Sequence, residues 1–155
     1  MNTPIKVCDT VSPYVPPLQD NPTVLIDGEE WEVIHTYSRA QAIEDGVLID
    51  ANFGDLAEVS RQHFKYPIAM TSAVFGIIED AVNDPRWAND WKGVWHDICW
   101  MSHKAVIQRS EDSSTVLFKV VIRGAGRKEL YTFKMVCGPN DDASPCLTLM
   151  LPEED

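Results

Sequence analysis

Three side chains with metal-binding or nucleophilic chemistry lie close together in the sequence: His96, Cys99 and His103. At positions i, i+3 and i+7 of a helix they converge on one side, a spacing that metal ligands can use. Trp100 and Ile107 share that side. A plainer reading therefore competes, in which the helix packs on two sides and the histidines sit at its boundary. No His-Glu-x-x-His pattern supports a metal, and Gly-x-Ser-x-Gly is absent. Nucleophilic catalysis needs a Ser or Cys beside a positioned base, and Cys99 reads more readily as a core residue. His35 and His63 read as isolated, His63 near a helix end where it complements the dipole. Gly124 to Lys128 lacks the spacing of a phosphate-binding loop and reads as a strand connection, with Arg123, Arg127 and Lys128 as a small anion patch. The candidate pocket is thus His96, Cys99, Trp100 and His103. No catalytic residue, metal or cofactor is assigned, and the chain reads as a binder before an enzyme.

Carboxylates form the other candidate surface. The 155 residues carry 24 acidic and 13 basic side chains, a net charge of −11. Residues 1–60 hold 11 acidic and two basic side chains, residues 137–155 five acidic and none basic. The middle is close to neutral. Such a chain does not bind nucleic acid by neutralising phosphates, which takes an excess of Lys and Arg. One reading of the acidity is solubility. The sharper one is a face for a basic partner, carried by Asp27, Glu29, Glu30 and Glu32 and by Glu44, Asp45, Asp50 and Asp55. Glu153, Glu154 and Asp155 read as a solvated tail.

The elements that must position these groups follow from pattern and punctuation. Residues 1–22 hold five of the ten prolines, so an extended or irregular arm is expected. Asp27-Gly28 between apolar runs predicts a hairpin. Ser38 caps a short helix closed by Gly46, and residues 55–64 form a second. Thr71 or Ser72 caps a third helix reaching about Asn83. Asp90 caps the longest, Trp91 to about Gln108, with Trp91, Val94, Trp95, Ile98 and Ala105 on one face. Trp91 and Trp95 are expected in the core. The pattern then changes to period two: residues 115–123, 129–137 and 146–151 read as three strands of an antiparallel meander. The expected fold is α+β, with about four helices on one face of a small antiparallel sheet. The domain spans 23–151, between the proline-rich arm 1–22 and the acidic tail 152–155.

A hydrophobic content of 45 % supports a real core and argues against disorder. No apolar run approaches the roughly 20 residues of a membrane-spanning helix, and no secretory leader is visible. The four cysteines, Cys8, Cys99, Cys137 and Cys146, include no Cys-x-x-Cys pair and read as free thiols in a reducing cytoplasm. A Cys137–Cys146 bridge would fit across a loop, though nothing in the sequence demands it.

Three blocks appear in order: Tyr37-Ser-Arg-Ala-Gln-Ala-Ile-Glu-Asp-Gly-Val-Leu-Ile-Asp, Phe64-Lys-Tyr-Pro-Ile-Ala-Met-Thr and Trp95-His-Asp-Ile-Cys-Trp-Met. Together, over roughly residues 34–137, they resemble an uncharacterised family of bacterial proteins carried on plasmids, prophages and integrative elements. The resemblance implies a mobile-element context and no catalytic residues. The expected function is a non-catalytic acidic binding or accessory protein, a nucleic-acid mimic or inhibitor with a basic, nucleic-acid-binding host protein as target. Direct nucleic-acid and membrane binding are not expected. Two alternatives stand beside it: a small metal-dependent or small-molecule enzyme using the His96/His103 stripe, and a structural homodimer.

Overall fold

A computed structural model describes residues 23–32 and 37–155. The proline-rich arm, Cys8 and His35 lie outside the described residues. The chain divides into two compact units, 1–37 and 38–155.

In the first unit, β1 (Thr23–Ile26) pairs antiparallel with β2 (Glu29–Glu32). Asp27 and Gly28 both take positive φ, 53° and 86°. That is the turn whose twist matches a two-residue hairpin, and Asp-Gly tolerates it best. The expected hairpin is present.

The second unit runs α1 (Arg39–Glu44), β3 (Leu48–Asp50), α2 (Gly54–His63), β4 (Ile68–Thr71), α3 (Ser72–Asn83), α4 (Trp91–Gln108), β5 (Thr115–Val121), β6 (Leu130–Pro139) and β7 (Pro145–Met150). The expected caps are in place. The Ser38 hydroxyl accepts from Gln41 N while the Gln41 side chain accepts from Ser38 N, a reciprocal box that compensates for the shortness of α1. The Thr71 and Asp90 side chains accept from Val74 N and Gly93 N.

Among the described residues, the α+β class, the four helices and the C-terminal meander β5–β6–β7 agree with expectation. The sheet is larger and mixed where an antiparallel one was expected. Its order is β3-β4-β7-β6-β5, and β4 runs parallel to β7. Residues 68–71 make a strand that the sequence reading did not assign. β4, covered on both faces, loses the alternation that marks a half-buried strand: all four of its residues are buried. Edge strand β5, in contrast, alternates strictly between exposed and buried.

One sheet face, built from Ile68, Met70, Val116, Phe118, Phe133, Met135 and Leu149, forms the core with α2, α3 and α4. Opposite, Leu117, Val121 and the Val121 partner Leu130 stay exposed. Arg39 reaches that other face from α1, donating to Thr148 Oγ1 and Leu147 O at 2.7 Å each. Asp141, in the β6–β7 turn, accepts from the first two amides of α1 (2.7 and 2.9 Å). The tail is not simply solvated. The Glu154 carboxylate accepts from Thr71 Oγ1 and Leu151 N, and its carbonyl accepts from Lys134 Nζ.

Trp95 is completely buried, as expected, and Trp91 is half-buried against Phe75, with ring centroids 4.8 Å apart. The Trp95 Nε1–H donates to Ser60 Oγ at 2.9 Å, and Ser60 Oγ–H donates to Ala51 O at 2.7 Å. This chain joins α4, α2 and the end of β3. Ser60→Ala leaves the indole N–H buried without an acceptor and is expected to cost about 1–3 kcal/mol. In a double-mutant cycle by urea titration, Ser60→Ala should cost clearly less in a Trp95→Phe background, giving a coupling of about 1 kcal/mol. Strict additivity would show that the bond contributes nothing.

Candidate functional site

Helix α4 buries Val94, Trp95, Ile98, Cys99 and Ser102 completely or nearly so. The stripe rotated from it holds His96, Trp100 and His103. Cys99 is therefore separated from the other three candidate-pocket residues, because its position falls inside the core stripe. Burial pushes its thiol far up from the ordinary value, where it is no nucleophile at neutral pH. Ile107, expected to pack with this stripe, is 71 % exposed.

The residue missing from the sequence reading is His63. It was expected to be isolated, and it lies at the last position of α2. Because α2 crosses α4 through the Ser60–Trp95 bond, the His63 ring enters between the rings of the α4 stripe. Its centroid is 5.2 Å from His96, 6.1 Å from Trp100 and 6.2 Å from His103, all edge-on. His96 and Trp100 stack with an interplanar angle of 13°. Phe64 packs on His103, and the Lys104 ammonium lies 4.9 Å above Trp100.

Proton positions follow from the partners. His103 Nδ1 is 3.0 Å from the His63 carbonyl, which only accepts, so Nδ1 carries the hydrogen. His63 Nε2 is buried with no hydrogen-bond partner. Burial first, and then the neighbouring His96 and His103, hold the His63 pKa below its ordinary value. Three histidines meet here, but among the described residues no group of three or more His, Cys, Asp or Glu side chains is placed to hold a metal ion.

Beside the cluster opens an apolar groove of about 210 Å³. Val106, Val116, Met135 and Leu147 line it, with His63, Phe64 and His103 along one side. Lys65, Tyr66 and Arg109 line it too and are exposed. Cys137 borders it and is free, as are Cys99 and Cys146. The groove's position explains part of the Phe64–Thr71 block: the Pro67 carbonyl accepts from Leu147 N at 2.8 Å, tying the segment after α2 to β7.

The acidic candidates are distributed over both units. Asp27, Glu29 and Glu30 are exposed on the hairpin, and the Glu32 side chain lies outside the described residues. Glu44, Asp45 and Asp55 are exposed at the end of α1 and the start of α2. Asp50 is different: it accepts from Asn52 N and Nδ2 (2.8 and 2.6 Å) and so shapes the β3–α2 turn. Arg123, of the expected anion patch, faces Glu129 at 3.8 Å and covers the Trp87 ring at 5.2 Å.

Fold and site together define a small α+β protein with a histidine–tryptophan cluster at a helix crossing, next to an apolar groove. The chain belongs to a family of unknown function, DUF6573, which it matches over residues 27–155. No curated protein and no solved structure matches it. Among the described residues, no helix is long and apolar enough to cross a membrane.

A histidine whose folded pKa is lowered takes up its proton more readily when unfolded, so its contribution is present above the unfolded value and lost as pH falls below it. For His63 that loss begins near 6.5. The melting temperature is therefore expected to fall between about pH 7.5 and pH 5.5, and His63→Gln to reduce that fall. An equal fall in the variant would remove His63 as its source.

Proposed function

We propose that this is a non-catalytic binding or accessory protein of a bacterial mobile element, whose acidic surface meets a basic protein, most concretely one that itself binds nucleic acid. The observation that carries this reading is the state of the carboxylates. Asp27, Glu29, Glu30, Glu44 and Asp55 are exposed, and no hydrogen bond or ion pair among the described residues engages their side chains. Carboxylates left open in this way can stand where phosphates stand on a nucleic acid, and they steer association with a basic groove. The bacterial cytoplasm is the compartment this reading implies.

The test is capture from a bacterial lysate with the native chain and with a Glu44→Gln/Asp55→Asn variant. Nucleic-acid-binding proteins should be retained by the native chain, be released by salt, and bind the variant about tenfold more weakly, at the usual magnitude for exposed charges. Retention that ignores both salt and the substitutions would sink the reading.

A second reading is supported by one specific observation, the groove beside His63 and His103. Here the chain binds a small molecule, and the two histidines contribute hydrogen-bonding groups at the rim of an apolar site. Apolar concavities with a few convergent polar groups are the usual form of such sites.

A further inference from the structure

The groove and the chain's overall charge have opposite signs. The chain carries −11, yet the lining of the groove contains no Asp or Glu, and its two full charges are Lys65 and Arg109. Neither cation is in an ion pair among the described residues. Arg109 donates to the Ser113 carbonyl, which anchors the guanidinium beside the groove while leaving its charge uncompensated. The interior is hydrocarbon, from Val106, Val116, Met135 and Leu147. Two cations without a counter-charge and an apolar interior together specify a ligand with one anionic end and an apolar body.

The volume sets the size of that body. A dry cavity of about 150 Å³ holds benzene, so 210 Å³ holds an apolar body of about eight carbons, below drug size. We infer that the groove binds a small monocarboxylate, a short-chain or aryl acid, with the carboxylate between Lys65 and Arg109 and the hydrocarbon on Val106, Val116 and Met135. This rests on the small-molecule reading and narrows it to one ligand class. A small inorganic anion offers no hydrocarbon to that interior, and an amine would face two like charges.

Cys137 provides a local readout, since it borders the groove as a free, half-buried thiol. The full chain is alkylated with and without octanoate, octanol and octylamine, and the label at Cys137 is followed by mass spectrometry. Octanoate should slow alkylation of Cys137 and raise the melting temperature. Lys65→Gln, at an exposed position, should weaken octanoate about tenfold, the usual effect of losing one charged partner, and leave octanol unchanged. Val106→Trp fills the groove and should abolish protection. If that variant melts early, Lys65→Gln decides alone. Equal protection by octanoate and octanol, or the strongest protection by octylamine, would overturn the carboxylate assignment while leaving a small-molecule groove. No protection by any of the three would overturn both.

Discussion

The indole N–H of Trp95 is the constraint on which this molecule turns. A tryptophan buried completely in a core brings one donor that must find an acceptor, because an unpaired N–H there costs more than most single contacts return. Ser60 is the acceptor, and it passes its own hydrogen to Ala51 O. That requirement fixes where α2 lies along α4. One helical turn beyond Ser60 stands His63, and one residue beyond Trp95 stands His96, so the same bond that closes the core also brings the histidine rings together. The segment Phe64–Pro67 then leaves α2 in the direction that makes the groove wall and meets β7.

Local chemistry was legible in the sequence and long-range chemistry was not. Ser38, Thr71 and Asp90 declare helix starts because a cap acts within three residues, and Asp27-Gly28 declares a turn because only a few residue types tolerate its backbone. The meander showed in the alternation of β5 and, most cleanly, of its middle strand β6. β4 gave no such signal, since a strand covered on both faces is a short apolar run that a helix can equally claim. His63 had no signal at all: its partners lie more than thirty residues away, and only the α2–α4 crossing unites them. The separation of Cys99 from His96 was in principle visible, because Ile98, Cys99 and Ser102 continue the stripe that begins at Val94 and Trp95.

The two charge features act over different ranges. Exposed carboxylates on the hairpin and on α1 and α2 create a field that solvent ions screen within about 8–10 Å at physiological salt. Lys65 and Arg109 act at contact distance, beside an apolar interior where screening is weaker. An anion approaching the molecule is thus repelled by the whole and held by one part. A small apolar anion, which gains from burying its hydrocarbon, is less affected by that repulsion than a polyanion. Local lining and global charge together therefore select more narrowly than either does alone.

The parallel pairing of β4 with β7 also bears on how the chain is made. β7 is the last strand in the sequence, yet it sits at the centre of the sheet, between β4 and β6. Until residues 145–150 have been made, β4 and β6 each lack the neighbour that covers their inner edge. Synthesis from residue 71 to residue 150 takes roughly 4–16 seconds at ordinary elongation rates. Such edges are templates for pairing with other chains. The short apolar segment that completes the sheet is therefore also what ends the nascent chain's vulnerability, and it does so all at once, by inserting into a gap that the earlier strands leave open for it.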